Sequence, residues 1–256
     1  MSDGAQVFGR LQARARADAS AAGTGAPTEE YLIRHVLESF LDRLTRTTHA
    51  NDFVLKGGVL LAAYGARRAT KDVDVNAVNA SVTAEHLVAV VHDIAGVDVA
   101  DGVEFDLDSI TVEQIREQAH YPGFRVRVKA TIGRWRGVAA RDVSTGDPIV
   151  PAPRRVSIGR ILRDPIELLG YAPETTIAEK GVTILERGIT STRWRDYVDI
   201  VQLARLLQFP ILPCDLCGSQ ENLMRKQVKT ILSEMEARAP KAKESMLAAL
   251  STVVGQ

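Results

Sequence analysis

The chain has 256 residues, 45% of them hydrophobic and 25% charged, with 32 basic side chains against 32 acidic. That is long enough to bury a real core and too apolar for a disordered, self-repelling chain. A zero formal charge argues against a general nucleic-acid binder, though not against a local basic face. No apolar run approaches the roughly 20 residues that span a bilayer.

Residues 1–27, Ala- and Arg-rich with Asp3 and Asp18 among them, contain no apolar segment of the secretory kind. They read as a flexible leader, and cytoplasmic residence follows as the default. "TEEYLIRHVLESFLDRL" (28–44) carries Leu32, Val36, Leu37, Phe40, Leu41 and Leu44 at helical spacing and predicts an amphipathic helix. "DFVLK" predicts a short strand, "VLLAAYGA" a short helix after two glycines, and "KDVDVNAV" the next strand. Residues 83–96 predict a helix.

From there the hydrophobic period drops to two. "GVEFDLDSITV" predicts a strand or hairpin. "FRVRVKATIG" alternates Val126 and Val128 with Arg125, Arg127 and Lys129, and "RGVAARDVS" is its expected hairpin partner. "RRVSIGRIL" predicts another short strand. After Pro165 the pattern turns helical, over 173–188, 191–208, 221–239 and 241–254. The expected organisation is therefore α+β: a leader (1–27), a core with a short mixed sheet flanked by helices (28–164), and a helical C-terminal domain (165–256).

The stretch "KDVDV" poses a physical question. Residues i and i+2 of a strand point to the same side, about 6.5–7 Å apart. Asp72 and Asp74 thus share a face and repel unless a cation lies between them. Magnesium is the obvious one, since it takes one or two carboxylates plus substrate phosphates. Val73 and Val75 point the other way, into a core. Earlier in the chain, Lys56, Gly57 and Gly58 end the strand "DFVLK" and begin the turn after it. Glycines there let backbone N–H groups approach a phosphate with no Cβ in the way, and Lys56 adds charge. A phosphate cradle followed by a two-carboxylate strand is what transfer from a nucleoside triphosphate needs. Either feature alone is common in strands and turns; their combination at this spacing is specific.

The pair "LKGG…KDVDV" resembles the polymerase-β-like nucleotidyltransferases. In its fuller form, "LKGGVLL…RRATKDVDV", it resembles the AbiE-type (AbiEii-like) toxins of bacterial toxin–antitoxin systems. The resemblance covers most of residues 50–205. It implies a third metal-ligating carboxylate, which Asp142 in "RGVAARDVSTGDPI" matches, with a turn role at Asp142 or Asp147 as the alternative. It implies a triphosphate-binding lysine, which Lys180 in "TTIAEKGVTILERG" matches. It implies a functional aspartate in "RWRDYVDIVQL", Asp196, with Asp199 as its structural partner. Thr70 takes the place of the hydroxyl residue in the family's Ser/Thr-Lys-Asp segment. The bland alternatives are a solvated Lys180 and ordinary ion pairs for Asp196 and Asp199 with Arg193, Arg195 or Lys180.

The implied activity uses two magnesium ions and an NTP, and moves a nucleoside monophosphate to an RNA acceptor, by family analogy the tRNA 3′ end. A cognate antitoxin is the implied partner. Arg125, Arg127, Lys129, Arg134, Arg136 and Arg141, then Arg154, Arg155, Arg160 and Arg163, could form a basic strip along the RNA, with Trp135 stacking on a base. The rivals are a small-molecule nucleotidyltransferase, which needs no such strip, and a non-catalytic nucleotide-binding module. Cys214 and Cys217 form a single CxxC without a second ligand pair, and they read as two reduced thiols.

Overall fold

A computed structural model of the chain describes residues 3–66, 70–78, 82–115, 123–146, 148–187 and 194–209, with positions 230, 234 and 237. Asp147, Arg193, Cys214 and Cys217 lie outside the described residues, as do the two helices expected at 221–239 and 241–254 apart from those three positions. The chain divides into two compact units, Met1–Phe209 and Pro210–Gln256. The sheet and the helices that pack on it belong to the first.

Among the described residues, seven strands form one mixed sheet: β1 (Phe53–Lys56), β2 (Asp72–Ala77), β3 (Val103–Ile115), β4 (Gly123–Ile132), β5 (Trp135–Thr145), β6 (Arg154–Ile158) and β7 (Ile166–Gly170). Their order is β3-β4-β5-β2-β1-β7-β6. β2 runs parallel to β5 and β1 parallel to β7; the other pairings are antiparallel. The α+β class read from the sequence is the one observed, a mixed sheet flanked by helices.

One face of the sheet is the core. Val73, Val75, Val126, Val128 and Val143 point into it, as period-two alternation requires, and meet α2 (Thr28–Leu44) and α4 (Ala84–Gly96). Phe40 of α2 stands edge-on to Phe105 of β3, ring centroids 6.2 Å apart. Arg43 is buried on the same helix and fixes it to β3 through Asp101 (3.1 Å) and the Val103 carbonyl (2.8 Å).

Two expectations differ from the structure. The first 27 residues are not a loose leader: Gly4–Ala22 form helix α1. Asp3 caps it by accepting from the Ala5 N–H at 3.0 Å, and Gly23 ends it in the left-handed region at φ 65°. Its buried residues, Val7, Leu11, Ala15 and Ala19, recur every fourth position, and the helix packs on α2 and β4. Alanine supplies half of that stripe, so it barely registers as hydrophobic periodicity. Second, β6 and β7 pair antiparallel, Val156 opposite Leu168, across the expected boundary at 164/165. The strand "IELLG" is masked in the sequence by its position just after Pro165.

Helices α5 (Pro173–Arg187) and α6 (Trp194–Leu206) pack against each other. Leu203 of α6 lies in a small apolar cluster with Leu61, Ala66 and Ile177, which ties the pair to the segment after β1. No described helix is long and apolar enough to cross a membrane.

Candidate active site

The register places the charged residues of the polar face in one row across the sheet. Lys56 of β1 lies opposite Asp74 of β2, Asp74 opposite Asp142 of β5, Asp142 opposite Arg125 of β4, and Arg125 opposite Glu113 of β3. Opposite residues share a face. From β3 to β1 the signs run minus, plus, minus, minus, plus. The row alternates except between Asp142 and Asp74, and Asp72 adds a third carboxylate two residues from Asp74. Burial, reinforced by Asp72 and Asp142, pushes the Asp74 carboxyl up to about 6, with Lys56 opposing.

Each carboxylate is held differently. Thr70 donates its hydroxyl to Asp72 Oδ1 at 3.0 Å, so the hydroxyl of the "ATKD" segment orients the first aspartate. Asp74 lies against Gly57: a Cβ on Gly57 would sit 1.9 Å from Asp74 Oδ2. Gly57 is also at φ +69°, where a side chain is strained. Two independent constraints therefore require glycine there, and Gly58 is buried behind it. The helix that follows, α3 (Gly57–Leu60), is a single turn continued by a 3-10 turn at Leu61–Tyr64. So short a helix carries little macrodipole; the turn offers backbone N–H groups instead. Gly57→Ala should displace the Asp74 carboxylate and cut transfer by about a hundredfold, the scale of a 1 Å misplacement of a reacting group. Steady-state rates beside a thermal melt check this, and a folded variant with the full rate would remove Gly57 from the site.

Asp142 receives both Arg125 nitrogens, Nε and Nη2, each at 2.7 Å. Among the described residues, no group of three or more His, Cys, Asp or Glu side chains converges as a metal cage. The donor set still fits a divalent cation at Asp72 and Asp74, because magnesium commonly takes two protein carboxylates and fills the rest of its shell with phosphate and water. Asp142 could join only by loosening its fork with Arg125.

The expected phosphate-binding residues fall in two places. Lys56 is buried and ion-pairs with Glu179 of α5 beside the Tyr171 ring. Lys180, the next residue on α5, is buried between Asp196 Oδ1 (2.6 Å) and Asp199 Oδ2 (2.9 Å) of α6. The solvated-lysine alternative is thus excluded, and the ion-pair alternative for Asp196 and Asp199 is what the side chains do. Sequence reasoning missed Glu179 and the role of Arg125. Neither carries a local signal, since each is defined by a partner 123 or 17 residues away.

Of the expected basic strip, Lys129, Arg134, Arg136, Arg154 and Arg155 are exposed, while other members are committed elsewhere. Besides Arg125, Arg127 pairs with Glu113 (2.8 Å), Arg160 with Asp42 (2.8 Å), and Arg141 is buried over the Phe40 ring. Alternation placed Arg141 on the core face, the neighbour of Asp142 but on the opposite side. Beside Asp72, an open cleft of about 520 Å³ is lined by Thr70, Lys71, Glu29, Glu30, Ile33 and Arg195.

The model of a nucleotidyl transferase family, the AbiEii toxin of type IV toxin–antitoxin systems, matches residues 39–243. The chain belongs to the AbiEii nucleotidyltransferase toxin family. The match spans the candidate site, with Asp72, Asp74 and Asp142 on the sheet and the α5–α6 pair. Curated relatives of this AbiEii chain include the tRNA-cytidine(32) 2-sulfurtransferase of Herminiimonas arsenicoxydans, 52% identical over 56 residues, 22% of this chain and 18% of that protein. The enzyme of the same name from Coxiella burnetii is 49% identical over 55 residues, 22% of each chain. The chain spans about a fifth of the length of these relatives. Among solved structures, JHP933 from Helicobacter pylori is 14% identical with a TM-score of 0.46, covering 69% of this chain and 66% of that one. An antigenic nucleotidyltransferase-like protein from Paracoccidioides brasiliensis is 17% identical with a TM-score of 0.43, covering 84% and 92%.

Proposed function

We propose that this AbiEii chain is a magnesium-dependent toxin that moves a nucleoside monophosphate from an NTP to an RNA 3′ end, that of tRNA before others, and so blocks translation. The observation that carries the reading is the break in sign alternation at Asp142, Asp74 and Asp72. The parallel register brings Asp74 and Asp142 together with no cation between them, Asp72 adds a third carboxylate two residues along, and the glycine turn lies alongside. A bound divalent ion would neutralise the triphosphate there and acidify the acceptor hydroxyl.

The chain's own residues do the rest. Thr70 fixes Asp72. Gly57 and Gly58 let backbone N–H groups reach phosphate oxygens, with Lys56 alongside. Lys180 has three hydrogens and gives two to Asp196 and Asp199, leaving one for the triphosphate. The acceptor oxygen forms the new bond to the α-phosphorus, the bond to the bridging oxygen breaks, and pyrophosphate leaves. The hydroxyl proton passes to the carboxylate row, where Asp142 is the candidate acceptor once its fork with Arg125 opens. An RNA acceptor is supported by family membership and by the segment shared with enzymes named for tRNA modification. A cognate antitoxin follows from the same membership.

Incubation with total RNA and each labelled NTP in turn tests the reading. Label should enter RNA with one NTP and only with magnesium or manganese present. Label entering small hydroxyl compounds instead would favour the small-molecule rival. No transfer to any acceptor would favour the non-catalytic module. A finer test concerns the fork on Asp142. Arg125→Gln should tighten metal binding by about tenfold, since it frees a carboxylate and removes a positive charge. Calorimetric titration with manganese measures it, and an unchanged affinity would exclude Asp142 as a ligand.

A further inference from the structure

The exposed face of α6 is unlike the charged faces of the sheet. Trp194 is 65% exposed and Tyr197 50%, and Val198 and Val201 continue the same stripe at the i, i+3, i+4, i+7 spacing of one helix face. Arg195 and Arg205 lie exposed beside it. The acidic residues of the helix, Asp196 and Asp199, are turned inward onto Lys180 and are 2% and 1% exposed. Over 194–209 the solvent therefore meets aromatic and aliphatic side chains with positive charge and no carboxylate. A solvated helix face carries charges of both signs; aromatic faces beside guanidinium groups suit stacked bases and phosphate.

The stripe is continuous with the site. Arg195 also lines the 520 Å³ cleft that contains Asp72, Thr70 and Lys71. A base stacked at the start of α6 would have its backbone led by Arg195 towards the carboxylates. The ion pairs from Lys180 to Asp196 and Asp199 hold this face in register with α5. On the strands, by contrast, Arg125 and Arg127 are already committed to carboxylates.

We propose that the exposed face of α6 is a stacking platform for unpaired, single-stranded RNA: Trp194 and Tyr197 take bases, and Arg195 takes a phosphate at the mouth of the cleft. The proposal rests on the RNA-acceptor reading above and says where that acceptor lies. Stacking tolerates any base, so the platform grips a single-stranded end without choosing its sequence.

The test uses the full chain and a fluorescein-labelled, unstructured decaribonucleotide with a free 3′ hydroxyl. Its affinity is followed by anisotropy across a salt series. Trp194→Leu, which keeps apolar bulk but loses the aromatic face, should weaken binding about 5- to 150-fold, the range for one base–aromatic stack. Trp194→Phe should restore most of it. Arg195→Gln should lower the salt slope by about 0.7, one phosphate contact on a single strand. At 65% exposure, Trp194 can be replaced without opening the core, and circular dichroism confirms the fold. If the parent chain binds the RNA and Trp194→Leu and Arg195→Gln bind it equally well, the platform is wrong while the RNA acceptor stands. If sedimentation shows that Trp194→Leu instead breaks a dimer and RNA affinity is intact, the face joins copies of the chain and the proposal is overturned. If the parent neither binds the RNA nor labels any RNA, the underlying reading falls and the platform with it.

Discussion

Asp74→Asn should abolish nucleotidyl transfer and, in the same stroke, make the metal-free protein more stable at neutral pH. The loss of activity follows from the row of carboxylates. On the proposed reading, removing one of the two charges that would hold the metal forfeits several kcal/mol of transition-state stabilisation, about a thousandfold in rate. The gain in stability follows first from the burial of that carboxylate and then from its charged neighbours Asp72 and Asp142. The Asp74 carboxyl ionises near 6 in the fold against an ordinary 3.8. Between these values the native state still holds the proton that the unfolded chain has lost. Stability contributed by this group is therefore highest below about pH 4, falls as pH rises to about 6, and stays low above it. The gap corresponds to roughly 3 kcal/mol. Asparagine carries no charge to repel, so the variant should gain most of that at pH 8 and progressively less as pH approaches 4. Urea unfolding with a chelator at pH 8 and pH 5, beside a transfer assay, measures both. An active variant would remove Asp74 from the site, and one no more stable than the parent at pH 8 would show that the buried charge costs the fold nothing.

Much of this site was legible because its signals are local. Asp72 and Asp74 share a strand, and the period of two puts them on one face without any knowledge of neighbours. Gly57 and Gly58 sit at a strand end, where only a turn fits. Val73 and Val75 announce the opposite face as core. The illegible part depends on pairing between distant strands. That Asp142 faces Asp74 is fixed by the parallel register of β2 and β5, to which a crossover of more than fifty residues contributes no local pattern. The same alternation that put Asp142 in the site removed Arg125's expected freedom, because the residue opposite Asp142 is Arg125. A basic strand face taken in isolation looks like a track for RNA; with its partner strands in place, Arg125 and Arg127 are neutralised while Lys129 stays exposed. Helix α1 was missed for a different reason. A stripe half made of alanine buries little area per residue, and its order comes from packing on α2 and β4 rather than from its own hydrophobicity.

Lys180→Ala should be strongly destabilising. The lysine, Asp196 and Asp199 have side-chain exposures of 9%, 3% and 1%, and removing the ammonium takes from two buried carboxylates a cation that both contact. Breaking a buried pair in this way costs about 3–5 kcal/mol, a large part of the roughly 5–15 kcal/mol that a domain has in total. Loss of activity in that variant would therefore say nothing about the triphosphate, because α6 would no longer be held on α5. The informative variant neutralises the whole group: Lys180→Met with Asp196→Asn and Asp199→Asn. No charge is then buried, and replacing a buried ionic group by neutral residues is often neutral or stabilising. Thermal stability should return to near that of the parent. Nucleotide affinity should not return, because the one hydrogen that Lys180 keeps for a phosphate oxygen is gone. A charge-assisted contact of that kind is worth roughly 1.5–3 kcal/mol, about ten- to a hundredfold in Kd. Titration with a non-hydrolysable nucleotide and magnesium separates the outcomes. A stable triple variant that binds nucleotide as the parent does would make Lys180 the bolt between two helices and nothing more, and the triphosphate would then be left to Lys56 and the glycine turn.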